Sequence, residues 1–303
     1  MKRFVIKLSV VVVPFIALLA ILFRVAYVAE LNLLKKDLTF PPGIRAAVLG
    51  DSRVEVYFDP DEIPWLRNCG QSATPFEITA HKAKLIAELN PNLELIIIDM
   101  WPSKLFADNV PFAPFCPYGI SLIEIMSRDD MPPLGENFPV RLSQGLLRPG
   151  LKHAVSTRTD AKSQIAGGFM KNHKFLKENK WSKIETYTSH PKYQMKAVPP
   201  RGEVLLENLL DWMKKHNRRV VLTSTPLYDL WWTNYYSEEA RTYFEKRMVE
   251  ISKKYGVHWY NWLHEYQDKI DFWADGDHLN DIGAKQFSQD KRPILESELA
   301  ASR

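Results

Sequence analysis

The 303-residue sequence is 46% hydrophobic and 25% charged, which excludes a disordered chain, a collagen-like fibre and a disulfide-stapled miniprotein. Forty Lys and Arg against 36 Asp and Glu leave a net charge of +4, too small to point to nucleic acid. Two cysteines, Cys69 and Cys116, cannot build a cysteine-rich zinc module.

The N-terminus departs from this average. Lys2, Arg3 and Lys7 precede Leu8 to Phe23, a run without a charge, and Arg24 is followed by a further apolar stretch. Residues 4–29 are long enough to cross ~30 Å of hydrocarbon if the Arg24 stem snorkels towards the headgroups. The expected organisation is a cytoplasmic tip (1–3), a transmembrane signal anchor (4–29), a polar stem (30–42) and an exported domain (43–303). The basic flank keeps the N-terminus cytoplasmic. A cleaved signal peptide and a buried core helix are the alternatives; residues 27–29 make a poor cleavage site, and the run has no polar face. In an oxidising compartment Cys69 and Cys116 are either a disulfide or two separate buried thiols. The absence of any N-x-[ST] sequon points to a bacterial envelope, with the main domain periplasmic or extracellular.

In the exported part, Arg45 to Gly50 is an apolar run ending on a glycine, a buried strand feeding a loop. Residues 76–90 have helical spacing, with Ile78, Lys82, Leu85, Ile86 and Leu89 on one side and Pro91 as the stop. Leu93 to Met100 is the strongest strand signal, and its nearly continuous apolar character fits a parallel strand covered on both faces. A Leu-rich amphipathic helix over 203–215 leads into a strand over 219–224. Ser237 caps a helix with the stripe Ala240, Phe244, Met248 and Ile251, ended by Gly256. A strand over 257–261 and a helix over 281–299 close the chain. This alternation predicts an α/β fold, a three-layer α/β/α sandwich with a mainly parallel sheet.

Residues 102–200 break the alternation with prolines and turn signals. From 141 to 200, twelve Lys or Arg face only Asp160, Glu178 and Glu185. This basic insert is read either as a solvated surface or as a cap or docking face for an anionic envelope polymer or lipid headgroups.

Three segments carry the chemistry. Gly50-Asp51-Ser52-Arg53 follows the first exported strand, where loops at strand carboxyl ends form the binding crevice of open α/β sheets, and Ser52 is placed as a nucleophile. Asn68-Cys69-Gly70-Gln71-Ser72 lies at the next strand end, where a glycine lets backbone N–H groups approach a reacting oxygen. Asp275-Gly276-Asp277-His278-Leu279-Asn280 precedes the last helix, and an Asp three residues before a His can orient the imidazole.

In this order on this scaffold, the three segments resemble the SGNH or GDSL family of esterases and acyltransferases. Gly50-Asp51-Ser52 matches its first block, Gly70 its second, and Asp275-x-x-His278 with the continuation to Gly283 its last. The resemblance implies Ser52 as nucleophile, His278 as the base that becomes the acid, and Asp275 as the ring holder. It further implies the Ser52 and Gly70 N–H groups as oxyanion donors, with no cofactor and no metal. Arg53 stands where the family has leucine, so it is read as a substrate contact or an outward-pointing side chain. The family's third block, G-x-N-D, is absent: Asp99-Met100-Trp101-Pro102 stands there. Asn109 or the Trp101 indole is a replacement for its side-chain donor.

Membrane-anchored members of this family often diverge in the same block, including those resembling the D-alanyl transfer protein of teichoic acid synthesis and the alginate acetylation proteins. The reading is therefore transfer or removal of an acyl group, acetyl by preference, on an envelope glycan. Transfer calls for a donor, handed over by a multi-pass acyltransferase partner. Trp231 and Trp232 are weaker candidates for stacking on a sugar, against a packing role. Ser72 lacks the flanking glycine of a nucleophile elbow. His81, His173, His190 and His216 are expected at the surface. His153, His258 and His264 have no carboxylate at short spacing.

The main alternative is a catalytically weak or inactive module that binds glycan or scaffolds an assembly machine. A general lipase or small-ester hydrolase is another. The last is a metal-dependent phosphoesterase using Asp51, Asp275, Asp277 and His278, although no second histidine-rich segment completes a two-metal site.

Overall fold

The computed structural model describes residues 2–72, 74–106, 167–171 and 200–301. The chain divides into two compact units, residues 1–38 with 111–166, and residues 39–110 with 167–303. In the first unit the described part is one helix, α1 (Lys2–Leu38), with Pro14 inside it. It runs on through most of the expected polar stem. Val13, Phe15, Leu18 and Ile21 are exposed on it. Many side chains of the expected anchor fall outside the described set, and among the described residues no helix is long and apolar enough to cross a membrane.

The second unit is α/β. Its described elements are β1 (Ala46–Leu49), α2 (Ser52–Tyr57), β2 (Leu66–Asn68), α3 (Phe76–Leu89), β3 (Leu95–Asp99) and α4 (Pro102–Leu105), then α5 (Arg201–Lys215), β4 (Val220–Ser224), α6 (Asp229–Tyr235), α7 (Glu238–Tyr255), β5 (His258–Asn261), a 3-10 turn (Ile270–Phe272) and α8 (Asp281–Ala300). The described strands form one five-stranded sheet in the order β2-β1-β3-β4-β5, and every pair is parallel.

The apolar runs become strands because both of their faces are covered. Ala46, Val48, Leu95, Ile97 and Val221 belong to one core with Val54 and Tyr57 of α2 and Phe287, Leu295 and Leu299 of α8. By strand alternation, the buried Ala47, Leu49, Ile96, Ile98 and Leu222 face the other way. α3, α4, α5 and α7 pack on one another as a second helical set, while α8 packs on α2.

The helix ends follow local chemistry. Ser237 Oγ accepts from the Ala240 N–H at 3.2 Å, and Gly256 ends α7 at φ 65°, a left-handed conformation that glycine adopts without a Cβ penalty. Asn90 at the end of α3 donates its side-chain amide to Ile86 O at 2.8 Å, and Pro91 prevents continuation.

The direction of connection reverses between β1 and β3, the neighbours at the middle of the order. In an open parallel sheet the loops leaving two such strands diverge at their carboxyl ends and leave a crevice. Gly50 to Arg53 and Met100 to Trp101 leave the sheet there. The basic insert, apart from residues 102–106, 167–171 and 200, lies outside the described residues, as do Asn109, Cys116, His153, His173 and His190. Cys69 is a free buried thiol, so it takes part in no disulfide.

Candidate active site

The turn from β1 into α2 sets the serine. A Cβ on Gly50 would stand 2.3 Å from Val54 Cγ2, so glycine lets Val54 pack directly against the turn. Asp51 caps α2 by accepting from the Arg53 N–H at 3.2 Å, which makes Ser52 the first residue of the helix.

The last motif is built by a different set of contacts. The backbone N–H of Ala274 donates to His278 O at 2.9 Å, and Trp273 bridges Leu279, which closes residues 274–278 into a tight loop. Leu279 is a core residue. Asn280 caps α8, its Oδ1 accepting from the Ile282 and Gly283 N–H groups at 3.0 Å each. A Cβ on Gly283 would stand 2.3 Å from Phe272 O, so that position must stay small. Each residue of the H-L-N-x-x-G string thus has its own physical task.

These two constructions bring the predicted residues together. His278 Nε2 lies 2.7 Å from Ser52 Oγ, and its Nδ1 lies 2.9 Å from Asp275 Oδ1. Asp277 also faces the ring, with Oδ1 3.1 Å from Nδ1. Burial opposes the charged imidazole, but the Asp277 carboxylate and the hydrogen bonds to both acids outweigh it and raise His278 to about 10. Burial also works against the Asp275 charge; the His278 hydrogen bond and charge win and hold that carboxyl down to about 2. Asp277 is pushed up by burial, against the pull of His278.

Beneath the serine lies a buried ionic network. Arg53 is 0% exposed, with its guanidinium 3.9 Å from the Trp101 ring centroid and Nη2 3.3 Å from Asp99 Oδ2. The expectation that it contacts substrate or points outward is therefore overturned. A leucine there would meet Asp51 and Asp99, so the arginine answers two buried acids. Its Nε and Nη1 make no hydrogen bond among the described residues. Burial pushes Asp99 up to about 6 against the Arg53 charge, while Thr225 donates to it from N and Oγ1 at 2.9 and 3.1 Å. Asp51 resists its own burial because Lys104, 3.1 Å away, and Arg53 hold its carboxyl well below the ordinary range.

Two expected oxyanion donors are already engaged. The Gly70 N–H donates to Asn68 Oδ1 at 2.8 Å, and a Cβ on Gly70 would stand 2.3 Å from Glu55 N. Gly70 is small because it rests on the α2 backbone, and its assignment as a donor is corrected. The Trp101 indole N–H donates to Asp51 Oδ2 at 2.9 Å. Ser52 N–H belongs to the first turn of α2, whose N–H groups have no partner within the helix.

Gln71, which the sequence did not single out, is different. Its backbone N–H donates to Gly50 O at 3.2 Å, beside the serine turn. Its side chain is buried, and neither Nε2 nor Oε1 has a hydrogen-bond partner among the described residues. Such a group calls for an explanation, and an absent hydrogen-bonding ligand is one. Tyr57 was missed as well, because an apolar-looking aromatic on a helix carries no motif.

The remaining candidates separate cleanly. Trp232 is 4% exposed and packs on Tyr236 and His264, so the sugar-stacking expectation fails for it. Trp231 is half-buried, stacked on Tyr235 at 5.2 Å and packed against the core. Ser72 Oγ donates to Glu55. His81, expected at the surface, is buried, whereas His216 is exposed and stacked on Trp212. His258 and His264 do find carboxylates in space, Glu298 and Asp229. Asp275, Asp277 and His278 bring ligand-type atoms within 4.8 Å of one another. Asp51, the fourth residue of the metal reading, is instead held by Trp101 and Lys104.

No family model and no curated protein matches the chain. Among solved structures it is similar to the GH99 endo-alpha-mannosidase from Bacteriodes thetaiotaomicron in complex with bis-tris-propane, at 11% identity over 86% of this chain and 98% of that one. The TM-score is 0.20, and a likeness that low carries no argument about fold or function.

Proposed function

We propose that this protein is an SGNH-type serine esterase or O-acyltransferase, anchored by α1 and acting on acyl groups, acetyl by preference, of a bacterial envelope glycan. The observation that carries the reading is the chain of contacts from Ser52 through His278 to Asp275, at 2.7 and 2.9 Å, at the carboxyl end of the sheet. The strand order 2-1-3-4-5 and the two helical sets support a three-layer sandwich of SGNH or flavodoxin-like type. The exposed apolar side chains of α1, flanked by Lys2 and Arg3, support a signal anchor with the catalytic domain outside the cytoplasmic membrane.

In this reading Ser52 Oγ attacks the ester carbonyl while its proton passes to His278 Nε2. The tetrahedral intermediate collapses, the ester C–O bond breaks, and His278 returns the proton to the leaving alcohol. The acyl-serine is then attacked by water, or by a glycan hydroxyl in transfer, with His278 again taking the proton. With Gly70 and Trp101 engaged, the oxyanion is held by the Ser52 N–H and the Gln71 side-chain amide. Partners of this chemistry are an acylated envelope polymer, the bilayer, and for transfer a multi-pass membrane protein that delivers the acyl group. No cofactor or metal enters the scheme.

The test is covalent labelling of the full chain in detergent micelles with a fluorophosphonate, mapped by mass spectrometry. Modification of Ser52 that disappears in His278→Ala supports an activated serine. An unlabelled, folded protein favours the second reading, a catalytically weak glycan-binding or scaffolding module, which the commitment of Gly70 and Trp101 to other partners already favours.

A further inference from the structure

The imidazole of His278 has a second acid on the same nitrogen. Asp275 Oδ1 and Asp277 Oδ1 lie 2.9 and 3.1 Å from Nδ1, one on each side of Gly276. A Ser-His-Asp arrangement needs only the first of them. Asp277 is also the better buried, its side chain 22% exposed against 50% for Asp275. Its position is fixed from two directions. Its own N–H donates to Asp275 Oδ1 at 3.1 Å, and its carbonyl accepts from the Tyr57 hydroxyl at 2.9 Å.

We propose that Asp277 is a positioning residue that shares the Nδ1 proton of His278 with Asp275 and sets the pH above which the ring can accept the Ser52 proton. The proposal rests on the serine-esterase reading and deepens it. Two carboxylates on one nitrogen stabilise the imidazolium more than one does, and an imidazolium is no base. The site is then held in a protonated resting state and works on the alkaline side of the usual histidine range.

The ionisable groups around this loop agree with that assignment. Asp275 and Asp277 act on His278 directly. Tyr57 of α2 feels both acids, along with Arg53 and Asp99, and Tyr235 of α6 feels Asp277. Both tyrosines are raised by burial and stay neutral, and Arg53 is already matched by Asp99 and Asp51. The two acids therefore set the charge of the ring.

The experiment uses the full chain in micelles and compares wild type, Asp277→Asn and Asp277→Ser. Two quantities are followed from pH 5.5 to 10.5: the rate of fluorophosphonate labelling at Ser52, and the titration of the His278 imidazole by NMR with labelled histidine. The His278 signal is assigned by its loss in His278→Gln. Both Asp277 variants are expected to move the acid limb of labelling and the imidazole titration to lower pH by about one unit. Labelling at pH 7 then rises about tenfold. An unmoved limb and an unmoved titration in both variants overturn the proposal. If wild type labels at no pH, the esterase reading fails by itself, and the imidazole titration still decides whether Asp277 governs the ring. Asp277→Ser, which keeps no acid or amide, repeats the test if Asp277→Asn does not fold.

Discussion

The Tyr57 hydroxyl bonds the backbone carbonyl of Asp277 at 2.9 Å, joining the helix that begins with Ser52 to the loop that ends with His278. The same oxygen lies 2.8 Å from Pro226 O, in the loop that follows β4, so one buried O–H is shared by two carbonyls. Three segments far apart in sequence are thus referenced to a single atom. Burial pushes the Tyr57 hydroxyl well above its ordinary range, so it remains a donor at every working pH.

Tyr57→Phe is the direct check. It leaves two buried carbonyls without this donor, at a cost of about 1–3 kcal/mol in unfolding free energy, measured in urea. The ring stays packed on Phe287, so the fold is expected to survive. The rate of Ser52 labelling is expected to fall more than the stability loss explains, because the His278 loop loses its tie to α2. Equal labelling rates in Tyr57→Phe and wild type mean that the remaining loop contacts hold the site alone.

Arg53 makes a second prediction, on stability. Arg53→Leu restores the residue that the family resemblance calls for, yet here it strands Asp99 and weakens the environment of Asp51. Removing one partner of a buried pair costs about 3–5 kcal/mol. The double variant Arg53→Leu with Asp99→Asn removes the stranded charge and is expected to recover part of that loss. A coupling of about 0.5–3 kcal/mol in a urea double-mutant cycle is the signature. Simple additivity means that Arg53 acts through Trp101 packing and not through Asp99.

The sequence made the strands and most long helices legible because each carries its own signal. The apolar runs at 45–50 and 93–100 are strands, and Ser237 and Gly256 bound α7. That Ser52, Asp275 and His278 come together was legible because their local turns are written in Gly50, Asn280 and Gly283. What stayed hidden depends on pairing across the fold. Arg53 reads as a surface cation until Asp99, 46 residues on, is known to face it. Gly70 reads as an oxyanion donor until Asn68 is seen to take its N–H. His81 sits on a helix that is covered more widely than its apolar stripe suggests, and α2, only six residues long, carries no periodicity at all.

Gln71 tests the proposed oxyanion site. If its amide holds the oxyanion, Gln71→Ala is expected to lower kcat for an aryl ester about 10²–10³-fold with little change in KM. Because neither amide atom has a partner among the described residues, truncation breaks no hydrogen bond to any of them. The urea midpoint should therefore move little compared with that of Tyr57→Phe. A large stability loss with unchanged kcat assigns Gln71 to packing beside Gly50 instead.

The charge of His278 also makes stability depend on pH, with a definite sign. The imidazole is raised from 6.5 to about 10 in the folded chain, so the folded state holds a proton that the unfolded state has released between those values. Its contribution is complete below pH 6.5 and is lost as pH rises towards 10. Stability is therefore expected to fall over this window in wild type, followed as the urea midpoint at half-unit steps. His278→Gln removes the titrating ring, and its profile should be flatter over the same range. Asp277→Asn should lie between the two, because one acid still faces the ring. If wild type and His278→Gln keep parallel profiles from pH 6.5 to 10, the two carboxylates do not hold the ring in its charged form.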